Sequence, residues 1–387
     1  MLKWEKLRDK CNGCSACALA CPQACITMQA DAEGFYYPRL DAPSCVQCGR
    51  CDAACPLLKP PQGVQGRAYA CMNQNEEIRM QSSSGGVFTA LAERVLQSNG
   101  VVFSAALHDD LTVRHMAVRS FEELALLRGS KYVQSQIGTA YSEAKKLLEG
   151  GTPVLFSGTP CQIAGLRSFL GRCYDNLITQ DIICHGVPSP KVWENYITHM
   201  QNKFGSTVLP KPHPSFRNKE HGWRDFSMVL HFESGNRYSQ PQHEDVFMQA
   251  FLRDLCLRPS CYQCHFKSLA RQGDITLADF WGVETVLPDM DDNKGTSLVL
   301  VNTGKGRRLF EAINSTVKSV PVDINEAIRG NPACCQSAIM PANRKKFMRE
   351  VTPQNIEALT GQYGKRSLTT RVLSKCKRCV KRMCGHV

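Results

Sequence analysis

The sequence lacks long apolar segments and the common nucleotide-binding motifs. No run approaches the eighteen or so uncharged apolar residues of a membrane-spanning helix, and the opening residues, MLKWEKLRDK, are not followed by an apolar stretch. We therefore expect a cytoplasmic protein. The sequence also contains no Walker A motif and no GxGxxG, so neither a P-loop ATPase nor a standard Rossmann nucleotide site is indicated.

Most of the chain carries almost no net charge. Residues 344–387 hold twelve Lys or Arg and two Asp or Glu, so they carry +10 of the net charge of +12. The rest of the chain, residues 1–343, carries a net charge of only +2. Because nucleic-acid binding needs a basic face, this small charge argues against a nucleic-acid partner. We interpret residues 344–387 as a basic tail that contacts an acidic partner or an anionic membrane surface. The alternative is a tail that is merely solvated or disordered.

Cysteine, by contrast, is abundant, with 21 of 387 residues. The reducing cytosol does not sustain structural disulfides, so this abundance indicates metal ligation or redox chemistry. Much of it lies in a repeat with a period of 34 residues near the N-terminus. Two runs of four cysteines, each followed by a proline, make up the repeat: Cys11, Cys14, Cys17, Cys21 and Pro22, then Cys45, Cys48, Cys51, Cys55 and Pro56.

Each run has the form C-x2-C-x2-C-x3-C-P, which is typical of bacterial ferredoxins with two [4Fe-4S] clusters. In that arrangement three cysteines of one run and the last cysteine of the other hold each cluster. We predict one cluster on Cys11, Cys14, Cys17 and Cys55, and a second on Cys21, Cys45, Cys48 and Cys51. A zinc module is the alternative, but structural zinc normally takes its cysteines as two separated pairs. Cys25 lies outside the pattern, and we interpret it as a small buried side chain.

The chain divides at a stretch rich in proline, glycine and glutamine. We predict a two-cluster domain over residues 1–58 and a linker over 59–67, because PLLKPPQGVQGR cannot continue a helix or a central strand. Beyond it, helical patterns alternate with short apolar runs: VVFSAAL (101–107), PVLFS (153–157), LITQDIIC (177–184), DITLAD (274–279) and SLVLV (297–301). The predicted fold is an α+β ferredoxin-like two-cluster domain followed by an α/β domain with a mixed sheet and flanking helices.

Six segments of the larger domain carry a family resemblance: SSSGGVFTAL (82–91), RGSKYVQS (128–135), LFSGTPCQIAGL (155–166), DIICHGVPSPKVW (181–193), RPSCYQCHFK (258–267) and DITLADFWG (274–282). With them the chain resembles the coenzyme F420 hydrogenase/dehydrogenase beta-subunit family from residue 11 to about residue 320. Residues 68–150 resemble the N-terminal part of the beta-subunit region and residues 151–343 its C-terminal part. The resemblance implies an FAD and an additional [4Fe-4S] cluster in the larger domain.

Two segments are candidates for contact with that FAD. Ser83, Ser84, Gly85 and Gly86 form a polar entry to an amphipathic helix, and the amides of a helix N-terminus suit a pyrophosphate. Ser130 and Lys131 would bring a backbone donor and a cation to the same cofactor. Without the resemblance, an ordinary helix cap and a solvated lysine explain these residues as well.

The resemblance also implies a third cluster, which we place on Cys161, Cys184, Cys261 and Cys264. Cys161 follows a predicted helix start, where the helix dipole would favour a thiolate. Cys184 ends an apolar run, and Cys261 and Cys264 form a compact CxxC. Two alternatives stay open: a zinc ion in the same pocket with His185 or His265, and a catalytic Cys161 thiolate with His185 as its base.

The predicted function is that of an iron-sulfur flavoprotein oxidoreductase. Electrons would pass between ferredoxin-type clusters and a substrate or hydride carrier through FAD, with ferredoxin or a reduced deazaflavin as the electron donor or acceptor. The alternative is a non-catalytic electron-transfer subunit that docks on a separate oxidoreductase partner subunit.

Overall fold

The computed structural model describes residues 3–364, which comprise a small N-terminal module and a larger α/β body. The module contains a 3₁₀ helix (Lys3–Lys10) and the elements α1 (Ala16–Leu19), β1 (Ile26–Ala30), β2 (Tyr36–Leu40) and α2 (Arg50–Ala53). β1 and β2 pair in antiparallel orientation.

The repeat in the sequence is also a repeat in the backbone. Gly13 and Gln47 are equivalent positions and both are left-handed, with φ of 68° and 53°. Ser15 and Gly49 are likewise equivalent and left-handed, with φ of 64° and 72°. Each cysteine run therefore curls through the same two turns before its short helix begins, which requires conformations that most residues avoid.

The larger body has eleven strands: β3 (Arg67–Asn73), β4 (Val101–Leu107), β5 (Val113–Val118), β6 (Val154–Ser157), β7 (Leu177–Ile182), β8 (Ser215–Asn218), β9 (Ser227–His231), β10 (Arg237–Pro241), β11 (Ile275–Asp279), β12 (Ser297–Val301) and β13 (Val317–Val322). Eight of them form one mixed sheet in the order β13-β3-β12-β11-β7-β6-β4-β5. The other three, β8 to β10, form a separate antiparallel sheet.

Helices cover both faces of the large sheet. The α-helices of the body are α3 (Glu76–Gln81), α4 (Val87–Gln97), α5 (Leu124–Leu127), α6 (Ala140–Glu149), α7 (Pro160–Leu170), α8 (Pro190–Phe204), α9 (Val246–Leu252), α10 (Val283–Val286), α11 (Gly304–Glu311), α12 (Ile324–Ala327), α13 (Arg344–Glu350) and α14 (Ile356–Tyr363). Successive side chains of β4 point to opposite faces of the sheet, so they contact different helices. Val102 packs with α4 and α11, whereas Val101 and Phe103 pack with α6 and α7. The predicted fold class is confirmed.

The N-terminal module is packed into the body rather than tethered to it. Ala16 and Ala54 share a buried cluster with α6 and α7. Phe35 and Tyr37 of the hairpin are buried in a second cluster, which α8, α9 and the three-stranded sheet complete. The cysteines of the module are therefore held firmly against the larger body.

The structure differs from the expectation of a basic tail that begins at residue 344. Helices α13 and α14 pack on α8 and α9, and Phe347, Met348, Val351 and Ile356 are buried in the largest core cluster. Lysines and arginines lie close to these apolar residues in the sequence, so the apolar spacing of the two helices is difficult to recognise there. The rest of the predicted basic tail, residues 365–387 with Cys376, Cys379 and Cys384, lies outside the described residues. Within residues 3–364, no helix is long and apolar enough to cross a membrane.

Candidate functional site

Five strands of the large sheet run in one direction, so their carboxyl ends share one edge. β4, β6, β7 and β11 pair in parallel, and β3 has the same direction because both β3 and β11 are antiparallel to β12. Ligands of open α/β sheets bind at this edge. The predicted site residues of the body follow these strands: the loop Ser82–Gly86, Cys161 and Cys184.

The first predicted cysteine set of the module, Cys11, Cys14, Cys17 and Cys55, is brought together, and we call it site I. Burial, together with the neighbouring Cys11 and Cys55 thiols, raises the pKa of the Cys14 thiol to about 12. Burial also raises the pKa of Cys17 well above its usual range, with contributions from the other three thiols. Thiolates in such a place need a cationic partner, which a bound cluster's iron supplies.

The second predicted set, Cys21, Cys45, Cys48 and Cys51, lines a single cavity, which we call site II. Cys51 is buried and Cys48 is exposed, so one side of site II reaches the molecular surface. Cys25 lines the same cavity, with its Sγ 3.3 Å from Cys21 Sγ. Cys25 is thus buried as expected, but its position beside a predicted ligand has no signal in the spacing of the repeat.

The residues around site II fit an iron-sulfur cluster. The indole Nε1 of Trp4 is buried and has no hydrogen-bond partner within residues 3–364. Burial raises the pKa of the Cys51 thiol, and the adjacent Trp4 N–H opposes that rise. An N–H group directed at a cysteine sulfur is a common feature of cluster sites, where it stabilises negative charge on the sulfur.

The four cysteines predicted in the body, Cys161, Cys184, Cys261 and Cys264, also line a single cavity, which we call site III. Cys161 lies in the first turn of α7, Cys184 follows β7, and Cys261 and Cys264 lie in and just after the 3₁₀ helix Pro259–Gln263. Among the described residues, no three His, Cys, Asp or Glu side chains converge on a single-ion site. The four thiols instead surround a cavity, and four thiolates are the complete ligand set of one cubane.

Hydrogen bonds hold the segments that carry these cysteines. The Thr159 N–H donates to Gln162 Oε1 at 3.0 Å, which fixes the start of α7. The Cys264 N–H donates to Ser337 Oγ at 3.0 Å. Lys267 Nζ donates to the carbonyls of Cys184 and His185. These hydrogen bonds therefore position the segments that carry the four cysteines of site III.

Electrostatics at site III differ from the expectation of a reactive Cys161. Burial raises the pKa of the Cys161 thiol well above its usual range, which is opposite to the direction expected from the helix start. Its Sγ lies 3.1 Å from Thr159 Oγ1, while His185 Nε2 lies 2.6 Å from Asp254 Oδ1. Among the described residues no hydrogen bond joins Cys161 to His185, so the thiolate and base pair of a cysteine nucleophile is not formed.

Sites I and III are close neighbours across α7. A Cβ atom added at Gly165, one turn after Cys161, would lie 3.0 Å from Cys14 Sγ. Asn12 of the module lines the cavity of site III and donates from Nδ2 to Ser260 Oγ at 3.4 Å. The cysteines of site I and those of site III are therefore adjacent in the structure.

The segments predicted to contact FAD meet at the same edge of the sheet. Ser83 Oγ accepts a hydrogen bond from the Ser130 N–H at 2.7 Å. Ser84 Oγ donates to the Thr296 carbonyl at 3.0 Å. The first turn of α4 has no side-chain cap among the described residues, so its amides are available to a ligand.

Three of the residues predicted to contact FAD, Gly85, Gly86 and Lys131, are closely packed against or hydrogen-bonded to other parts of the chain. A Cβ at Gly85 would lie 2.7 Å from Ser297 N, and one at Gly86, where φ is 78°, would meet Asn73. Bulky residues there would disturb the loop itself. Lys131 Nζ donates to the carbonyls of Leu126 and Arg128 at 3.0 Å, and burial lowers the pKa of Lys131 to about 7.

A second buried lysine, Lys219, was not predicted. Its Nζ donates to the carbonyls of Ser84, Arg79 and Lys294 at 2.7 to 2.8 Å, and burial lowers its pKa to about 7. Lys219 therefore fixes the Ser83–Gly86 loop from the three-stranded sheet. It lies 135 residues from Ser84 along the chain, and no spacing rule links them.

Comparisons with known proteins agree with this architecture. Residues 10–57 match the 4Fe-4S dicluster domain, residues 68–141 the coenzyme F420 hydrogenase/dehydrogenase beta subunit N-term, and residues 151–325 the C terminus of that beta subunit. No curated protein sequence matches the chain. Among solved structures, a chain of the F420-reducing [NiFe] hydrogenase complex from Methanosarcina barkeri is similar, with 16% identity and a TM-score of 0.46. The match covers 79% of this chain and 92% of that one.

The matches to the dicluster domain and to the two beta-subunit regions define an iron-sulfur protein of an oxidoreductase class, and the prediction of iron-sulfur clusters in the N-terminal module is confirmed. The chain belongs to the coenzyme F420 hydrogenase/dehydrogenase beta-subunit family. Its ferredoxin-type module is part of the same polypeptide.

Proposed function

We propose that the protein is an iron-sulfur flavoprotein oxidoreductase that passes electrons between ferredoxin-type clusters and a substrate or hydride carrier through FAD. The observation that carries this proposal is site III, because four cysteines far apart in sequence line one cavity directly beside site I. A third [4Fe-4S] cluster on Cys161, Cys184, Cys261 and Cys264 would extend the electron path from the module into the body.

FAD is proposed at the carboxyl edge of the sheet, on the Ser83–Gly86 loop and the Ser130–Lys131 segment. The hydrogen bond between Ser83 and Ser130 joins the two segments, and the uncapped start of α4 offers backbone donors for phosphate oxygens. When bound, FAD exchanges the two electrons of a hydride for single electrons. The chain's own share is to hold the flavin near site III, since the loop and Cys184 follow strands that end on the same edge.

The electron partner is proposed to meet the protein at site II. Val46, which lies between two predicted ligands of that site, is 61% exposed, and Cys48 is exposed as well. An accessible cluster edge suits a macromolecular one-electron carrier such as ferredoxin, or an oxidoreductase partner subunit. A reduced deazaflavin, as a hydride carrier, would instead react at the flavin.

Iron and flavin analysis of anaerobically prepared protein tests the proposal. Three cubanes correspond to about twelve irons per chain and two to about eight. The double variant C261A/C264A should lose about four irons and retain its flavin. A fully loaded wild type with only eight irons would remove the third cluster.

The same preparation separates an enzyme from a passive electron-transfer subunit. Flavin that is reduced by a hydride donor in the absence of any partner protein supports the enzyme. Flavin that is reduced only after a partner subunit is added supports the alternative.

A further inference from the structure

Arg258 is a fully buried cation at the seam between the N-terminal module and the body. Its Nε donates to the Cys11 carbonyl at 2.8 Å, and its Nη2 donates to the Tyr36 carbonyl at 3.0 Å. Its Nη1 donates to Gln134 Oε1 at 2.9 Å. The guanidinium therefore connects the cysteine run and the hairpin of the module with the larger body.

These three acceptors are neutral, and none of the ion pairs within residues 3–364 includes Arg258. The nearby carboxylate of Glu33 is already paired with Arg344. The ring of Tyr37 lies 4.1 Å from the guanidinium carbon, which adds a cation–π contact. A buried cation is costly without an anion near it, so the location of Arg258 requires a negative partner.

The two cysteine sites flank Arg258. It lines the cavity of site III together with all four cysteines of that site. On the other side it binds the backbone of Cys11, and a Cβ atom at Gly13 would lie 2.9 Å from its Nη1. The same charge thus acts on both sites.

We propose that Arg258 is the shared counter-charge of sites I and III, stabilising negative charge at both and raising the reduction potential of each. The inference rests on the proposed cluster at site III. Reduction of either cluster adds one electron, with no proton taken up and no bond made or broken. A cation between the sites stabilises that electron on either side, so the reduction potentials of both clusters rise.

The test is a redox titration, followed by electron paramagnetic resonance, of the full-length, iron-loaded R258Q variant. Two of the three clusters should become harder to reduce by at least about tenfold, which for one electron is about 59 mV. The cavity of site II is not lined by Arg258, so the cluster of site II should keep its potential and serves as an internal reference. R258K, which retains the charge without the planar fork, should recover most of the shift.

R344Q is the matched control, because Arg344 is also buried at the seam, where it pairs with Glu33 and donates to the Leu257 carbonyl at 2.7 Å. It loosens the same seam without removing a charge from the cavity of site III. Equal shifts in R344Q and R258Q, or three unchanged potentials in R258Q, would overturn the proposal.

Iron content decides the case in which R258Q does not load fully. Loss of about eight irons, with the cluster of site II retained, supports a residue that both neighbouring sites require. Loss of only one cluster, or of all three, contradicts a shared role. A wild type with eight irons would instead show that the proposed function, and not the role of Arg258 alone, is wrong.

Discussion

Gly165 of α7 lies directly against Cys14 of the N-terminal module: a Cβ atom at Gly165 would be 2.9 Å from Cys14 Cβ and 3.0 Å from Cys14 Sγ. The same helix carries Cys161 in its first turn. One helix therefore sets the positions of a site I ligand and a site III ligand. The lack of a side chain at Gly165 allows that close approach.

We predict that G165A impairs both sites. The added methyl group cannot be accommodated without moving α7 or the Cys14 loop, and overpacking of this kind typically costs about 1–3 kcal/mol. Iron content should fall below that of the wild type. G361A is the control, because Gly361 is also helical but an added Cβ there has nothing within 4 Å. Equal iron content in the two variants would contradict the prediction.

Ser83 provides a sharper test of the flavin site than the glycines of its loop. S83A removes the acceptor of the Ser130 N–H, a hydrogen bond worth about 1 kcal/mol, so FAD should be retained several-fold less tightly. Flavin fluorescence after gel filtration measures retention. S98A, at the other end of α4, removes a hydroxyl that donates to the Arg94 carbonyl of the same helix, and this variant should keep the wild-type flavin content. Indistinguishable flavin content would place FAD elsewhere.

The sequence predicts five of the six interior strands of the large sheet, all but β3, and none of the strands at the edges of the sheets. The apolar runs 101–107 and 297–301 coincide with β4 and β12. No run predicts β5, β10 or β13, which lie at sheet edges and alternate with polar or charged residues. An edge strand needs fewer apolar side chains, so its pattern resembles that of a loop.

The residues of the candidate site also fall into two groups. Some are predicted by local spacing in the sequence, and others are identified only by contacts between residues far apart in the sequence. Sites I and II follow from a repeat confined to 45 residues, from Cys11 to Cys55, and the ligand spacing alone predicts them. Arg258 and Lys219 carry no such signal, because their importance depends on burial and on partners more than 100 residues away. Only the folded chain brings these cations to the cysteines and to the Ser83–Gly86 loop.

Cys25 should not be a cluster ligand although it lines site II. The contact with Cys21 and burial raise the pKa of the Cys25 thiol to about 12, which favours the protonated form of Cys25. Four other thiols already complete a cubane shell. We expect C25A to keep about twelve irons and C45A to lose about four. Loss of four irons in C25A would exchange the roles of Cys25 and Cys21.

The last prediction concerns His115 of β5, which holds the strand that leads to Cys161. Its Nδ1 lies 2.5 Å from Ser135 Oγ and its Nε2 lies 3.0 Å from the Ser157 carbonyl. Burial lowers the pKa of His115 to about 4 from its ordinary value of 6.5. Between these values the unfolded chain binds more protons than the folded one, so acidification favours unfolding.

Lowering the pH from 7.5 to 5.5 should therefore cost about 1 kcal/mol of unfolding free energy through His115 alone. Anaerobic urea unfolding, followed by tryptophan fluorescence, measures this difference. In H115Q, which cannot titrate, the loss on acidification should be smaller by that amount, although its stability at pH 7.5 is lower because one hydrogen bond of the ring is lost. H221Q removes an exposed histidine and should behave as the wild type does. If H115Q and the wild type lose the same free energy between the two pH values, the neutral buried state assigned to His115 is wrong.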